Sequence, residues 1–311
     1  MTETIRTLLG GLIDYAGLFP PAKLEMNAAL ENYARDSMGT CAFALGRFIC
    51  PVARLDELTL TGAALMPGTH ATSGYPEMSA QREPWKLSAI IDGPLDQCLS
   101  AIDAFNEHHC RDDNGRAQID ALEMRIESAA DFDEALEIIP NDITPYFEIA
   151  ISSDPRGMIA ALAGEDACAK VRLGGITPDA IPPVEPVLAF ITACNSARVP
   201  FKATAGLHHP IRAEQPLTYE ADPPRSVMHG FVNVFLTAAM LSERVIDEPA
   251  AAELLAETDP SAFTWADNAV SWRGNALTLE ALTRSRARFA HSYGSCSFDE
   301  PIADLKALGW L

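Results

Sequence analysis

Seven times between Gly11 and Gly206 a short apolar run of strand type gives way to a stretch with helical spacing or a turn-rich connection. The strand-type runs cover residues 11–15, 46–51, 85–92, 120–128, 145–152, 167–173 and 200–206. Helical stretches are expected over residues 26–35, 53–59, 95–108, 131–139 and 184–197, with another opened by Pro155. Strands alternating with helices at this rhythm form βαβ units, and βαβ units build parallel sheets. The chain has neither a dinucleotide-type glycine fingerprint nor a nucleotide P-loop. Repeated units without those motifs favour a closed (β/α)8 barrel of the TIM type over an open doubly wound sheet.

Closure needs an eighth strand. Residues 292–298 are the best candidate, because Asp299 can then cap a closing helix over residues 301–308. Residues 230–235 lie within a better helix at 227–241, and residues 263–272 look like a hairpin turned at Asp267-Asn268. That choice makes residues 207–291 a long, mostly helical insertion before the last strand, expected over the barrel mouth as a lid. Residues 66–84, rich in Gly, Pro, Ser and Thr, are expected to form a surface loop, and residues 1–311 a single barrel domain.

Charge narrows the partners. With 43 acidic and 23 basic residues the chain carries a formal charge of -20, which repels phosphate backbones and anionic membranes. No run approaches the roughly twenty apolar residues that span a bilayer, and no secretory signal is evident. The seven cysteines include no C-x-x-C pair and are expected to be reduced thiols of a cytoplasmic protein. A small anionic molecule is the expected partner, without nucleic acid, membrane or cofactor, and homo-oligomerisation is left open.

Strands of a barrel are buried on both faces and usually read as near-continuous apolar runs. Here several break that rule with a two-residue period. Glu123 and Arg125 share one face of the fourth strand, Lys170 and Arg172 one face of the sixth, and Lys202 and Thr204 one face of the seventh. Glu148 lies between Phe147 and Ile149 on the fifth. If the apolar faces pack under the helices, these charges point inward and must be paired there. Active sites of such barrels lie at the C-terminal strand ends, where Arg172, Lys202 and Thr204 fall. His208 and His209 follow the seventh strand as loop-lining residues, and His108-His109 is expected to be solvated at a helix end.

Two lysines in successive strands suit one chemistry. A lysine amine attacks a carbonyl only when neutral, and partial burial beside other cations favours that form. Lys170, with Arg172 on its strand and Lys202 on the next, is the expected nucleophile, and Lys202 its electrostatic partner. Glu123 is placed to pass protons, and Arg125 or Arg172 to hold an anionic group by paired hydrogen bonds.

At five strand ends the chain resembles the deoxyribose-phosphate aldolases among the class I β/α-barrel aldolases. Ile13-Asp14-Tyr15-Ala16-Gly17-Leu18-Phe19-Pro20 is similar to their opening I-D-H-T-L-L-x-P strand, and Leu122-Glu123-Met124-Arg125-Ile126 to their fourth. Lys170 to Gly174 matches their K-x-x-x-G run, Lys202-Ala203-Thr204-Ala205-Gly206-Leu207 their K-A-S-G-G-I, and Gly294-Ser295-Cys296-Ser297 their phosphate-binding G-A-S turn. The resemblance implies a carbon–carbon lyase with Lys170 as Schiff-base lysine and Lys202, Glu123 and Asp14 as its catalytic partners. Arg125, Arg172, Glu148, Thr204, Gly206, His208, His209, Gly294, Ser295 and Ser297 are the residues expected around the substrate. Arg125, Arg172 and the histidines depart from the family pattern and point away from a phosphorylated pentose, toward a keto or aldehydo acid. Two other classes remain open: a metal-assisted lyase or isomerase using His208, His209 and Glu148, and a non-catalytic barrel that binds an anionic metabolite.

Overall fold

The computed structural model describes residues 1–68 and 83–311, so most of the loop expected at 66–84 lies outside the described residues. Eight parallel strands close a barrel: β1 (Ile13–Tyr15), β2 (Leu45–Pro51), β3 (Trp85–Ile90), β4 (Ala117–Arg125), β5 (Thr144–Glu148), β6 (Cys168–Arg172), β7 (Phe201–Thr204) and, as its eighth strand, β13 (Ala290–Ser295). β13 pairs with β7 and β1, which completes the ring. The fold is therefore the expected (β/α)8 barrel.

Helices cover its outside: α1 (Glu3–Leu9), α2 (Met26–Ser37), α3 (Leu55–Gly62), α4 (Leu95–His109), α5 (Ala129–Ile138), α6 (Arg156–Ala161) and α7 (Val184–Ala197) precede the last crossover. That crossover carries a hairpin of β8 (Ala213–Pro216) and β9 (Arg225–Met228), then α8 (Phe231–Ser242) and α9 (Glu248–Ala256). An antiparallel sheet of β10 (Phe263–Trp265), β11 (Ala269–Trp272) and β12 (Asn275–Thr278) leads into α10 (Leu279–Arg288). α11 (Asp299–Ala307) follows β13.

Apolar faces do turn outward. Phe147 of β5 packs edge-on against Phe132 of α5, and Phe201 of β7 meets Phe190 of α7 and Phe235 of α8. Burial of each such ring contributes roughly 2–3 kcal/mol. α5 starts sharply because Ser128 and Asp131 form a reciprocal capping box.

Several boundaries differ from expectation. β4 begins and ends three residues earlier than the 120–128 run, so Arg125 closes the strand and Ile126 lies beyond it. Asp299 is the first residue of α11 rather than its cap; the Ser297 hydroxyl accepts from the Glu300 amide instead. His109 is buried, not solvated, with Nδ1 bonded to the Gly115 carbonyl and Nε2 to Thr59. Of residues 207–291, only His208, His209, residues 216–219 and Met228 line the cavity at the mouth. The β10–β12 sheet instead holds the chain ends, through Thr4 on the Ala266 carbonyl and Trp265 against Trp310.

Strands β6 and β7 leave the barrel at Gly174 and Gly206, where two backbones touch. A Cβ on Gly174 would lie 2.7 Å from the Gly206 Cα, and one on Gly206 would lie 2.6 Å from the Leu173 carbonyl oxygen. Gly206 also has φ +70°, a left-handed conformation that side chains disfavour. Gly206→Ala is expected to cost about 3 kcal/mol from strain and overpacking together, read as a lowered urea midpoint.

Candidate active site

Inside the barrel the charges form one connected network (centred on Glu123, from β4). Its Oε1 accepts hydrogen bonds from Lys202 Nζ at 2.7 Å and Ser88 Oγ at 2.8 Å. Its Oε2 lies 2.8 Å from Lys170 Nζ but accepts no aligned hydrogen bond. Strand register explains the meeting: Lys170 and Lys202 are cross-strand partners on β6 and β7, and Glu148 on β5 is the partner of Lys170. The period of two turns all of them inward.

Lys202, with its side chain 1% exposed, is the deeper lysine. It donates to Asp14 Oδ2 at 2.6 Å as well as to Glu123, and sits 5.2 Å from the centre of the Tyr146 ring. Asp14 in turn accepts from the Arg47 amide and the Ser292 hydroxyl. Below, Arg47 is held by Asp120 at 2.6 Å, and Tyr146 hydrogen-bonds His291. Burial disfavours a charge on Lys202, but Asp14 and Glu123 outweigh it and raise its pKa. Burial likewise opposes ionisation of Glu123, and the Lys170 and Lys202 ammoniums outweigh it, holding the carboxyl well below the usual range.

Above this layer opens a cavity of about 570 Å³ at the C-terminal strand ends. Lys170 lines it; Lys202 and Asp14 lie beneath and do not. Lys170 Nζ is 2.8 Å from Glu148 Oε2, and Arg172 and Arg125 reach the same carboxylate at 3.2 and 3.5 Å. Burial pushes the Glu148 pKa up, but Lys170 and Arg172 bring it below its ordinary value. The arginine side chains remain open, 73% exposed for Arg125 and 50% for Arg172. Thr204, Gly206 and Gly294 also line the cavity, and the missing side chain of Gly294 leaves room for the Thr204 hydroxyl.

Three expectations require correction. Lys202 faces Lys170 only across a carboxylate: Glu123 gives one oxygen to each, because two uncompensated ammoniums in a low-dielectric interior would repel. Ser295 and Ser297 do not line the cavity. The Ser295 hydroxyl bonds the Ser297 carbonyl, and the Ser297 hydroxyl serves the first turn of α11. His208 and His209 line the cavity, yet they do not join Glu148 as a ligand set. Their Nδ1 atoms meet Glu300 at 3.1 Å and Asp304 at 2.6 Å, one turn apart on α11. Among the described residues, no three His, Cys, Asp or Glu side chains are grouped to hold a metal ion.

Other site residues carried little signal in the chain. Ser88 is a single hydroxyl in an apolar run, Ser292 is one of three serines in or just after the last strand, and Tyr219 arrives on the tip of the β8–β9 hairpin to donate to Glu300 Oε2 at 3.1 Å. Glu300 and Asp304 lie one turn apart on α11, and nothing in their spacing shows that this face meets His208-His209.

The fold and this site define a parallel β/α barrel with one lysine presented to a cavity at the C-terminal strand ends and a second buried below it. Compared with models of known families, with characterised proteins and with solved structures, the chain matches none.

The network predicts a two-sided pH response. Glu123 and Glu148 have lowered pKa values, so their contribution is complete above about pH 4.5 and is lost as pH falls through the folded-state values. Lys202 is raised, so its contribution is complete below about pH 10.5 and is lost as pH rises through its folded value. Urea midpoints should therefore be level from about pH 7 to 8 and drop on the acid side, where His229 and His291, held to about 4 by burial, add to the loss from about pH 6.5 downward. Lys202→Met should lose about 3–5 kcal/mol at neutral pH, since it strands Asp14 beside Glu123 without their shared cation.

Proposed function

We propose that the protein is a carbon–carbon lyase of the Schiff-base type, acting on a small anionic keto or aldehydo compound. The observation that carries this is Lys170: it lines the cavity and lies 2.8 Å from each of two carboxylates, Glu123 and Glu148. Attack requires the neutral amine. The Lys170 ammonium passes a proton to Glu148, and Nζ bonds to the substrate carbonyl carbon. The carbonyl oxygen takes up the second nitrogen proton and then the one held by Glu148, and leaves as water. Of three nitrogen protons, one stays on the iminium and two depart in the water.

Glu148, again a carboxylate, then removes the proton of the hydroxyl group beta to the iminium. The bond between the alpha and beta carbons breaks, the aldehyde fragment leaves, and the electron pair enters the iminium to form an enamine. A proton returned to the alpha carbon and a water added across the C=N bond release the second product and restore the ammonium. Arg125 and Arg172, both close to Glu148, bind the substrate's negative group. Glu123 keeps Lys170 and Lys202 compensated throughout.

Borohydride reduction in the presence of a panel of keto acids and aldehydes tests this. A mass increase equal to substrate minus water plus two hydrogens is expected on the peptide carrying Lys170, and none on Lys202. Glu148→Gln should slow adduct formation by about a hundredfold or more, the usual worth of a positioned acid–base group. No adduct on Lys170 across the panel overturns the proposal. Binding retained in Lys170→Ala, without turnover of any bound compound by the native protein, would instead make the barrel a receptor for anionic metabolites.

A further inference from the structure

The two ends of the mouth cavity differ in charge. Among the described residues that line it, the permanent cations are Arg125, Lys170 and Arg172, all on β4 and β6. The two arginines share a single carboxylate with Lys170 and are half or more exposed. That edge carries more positive charge than its own acids neutralise.

The adjoining edge, after β7 and β13, is where barrels of this kind frequently hold a phosphate, on the loops after the seventh and eighth strands. This chain furnishes that corner differently. Glu300 lines the cavity there and receives hydrogen bonds from both Tyr219 and His208. Burial opposes its charge, and the His208 contact outweighs burial and keeps the carboxyl ionised at lower pH than usual. The two serine hydroxyls at the end of β13 are engaged, Ser295 within its own turn and Ser297 at the α11 amide, which leaves the Thr204 and Thr218 hydroxyls as the neutral groups facing the cavity there. His209 is turned to Asp304.

We infer that the site selects an unphosphorylated keto acid: its carboxylate lies at Arg125 and Arg172, and an uncharged hydroxyl-bearing tail lies at Tyr219, His208 and Glu300. Glu300 is the specificity-determining residue. A phosphate at that end would meet a carboxylate with no arginine or lysine among the described cavity residues to offset it, whereas a hydroxyl can donate to Glu300 and accept from Tyr219. The position of the reacting carbonyl at Lys170 rests on the Schiff-base proposal; the polarity of the two ends does not.

A matched pair of probes, 2-keto-3-deoxygluconate and its 6-phosphate, reads this by titration calorimetry, without any covalent step being required. The native protein is expected to bind the unphosphorylated acid at least tenfold more tightly. Glu300→Lys should shift that ratio toward the phosphate by tenfold or more. Arg172→Ala should weaken both probes about equally and leave the ratio in place. Equal or tighter binding of the 6-phosphate by the native protein, no binding of either probe, or a loss confined to the phosphate form in Arg172→Ala each overturns the inference. The two Arg172 and native measurements stand even if Glu300→Lys fails to fold. Borohydride labelling of Lys170 with the same probes is scored separately, so failure of the Schiff-base chemistry is not confused with failure of the selectivity.

Discussion

Everything at the mouth of the barrel depends on one carboxylate having two oxygens. Glu123 is buried with an ammonium at each of them, Lys202 at 2.7 Å and Lys170 at 2.8 Å. An ionised side chain removed from water costs several kcal/mol unless its neighbours restore the lost interactions. Neither lysine could be carried inside the barrel alone. Asp14 and Glu148 complete the accounting from the two sides, so the row Asp14, Lys202, Glu123, Lys170, Glu148 alternates in sign from the buried interior to the cavity.

The alternation divides labour between two lysines that look equivalent in the chain. Lys202 meets carboxylates on two sides beneath the cavity floor, which suits a structural cation. Lys170 has the same kind of partners but faces the cavity, where a ligand can reach it. Burial, rather than residue type, separates the roles. The glycines at the ends of β6 and β7 serve the same division: their backbone contact keeps the two strands close enough for one glutamate to serve both lysines.

The barrel was legible because its signal is repetitive. Each strand-type run and each helix is weak evidence alone, but their order admits few topologies. The inward charges were legible for a similar reason, as Glu123 and Arg125, or Lys170 and Arg172, sit two apart in runs that should be apolar. Which charge meets which was not. Asp14 and Lys202 are 188 residues apart, and His209 and Asp304 are 95 apart, distances over which pattern carries no pairing information. The repulsion expected between the lysines is offset for that reason: Glu123, from a strand remote in the sequence, stands between them. The β8–β9 hairpin leaves no signal in the chain because its strands are four residues long and only half apolar, too short to show a period.

A site made of alternating charges has a particular tolerance. An ammonium and an iminium on the same nitrogen carry the same unit of positive charge in nearly the same place. With Lys170 flanked by Glu123 and Glu148, the interior would be electrostatically indifferent to which of them is present. Asp14, Lys202 and Ser292 would then see an unchanged field between the free lysine and an iminium of the proposed kind, and the barrel would need no rearrangement of its floor to carry either.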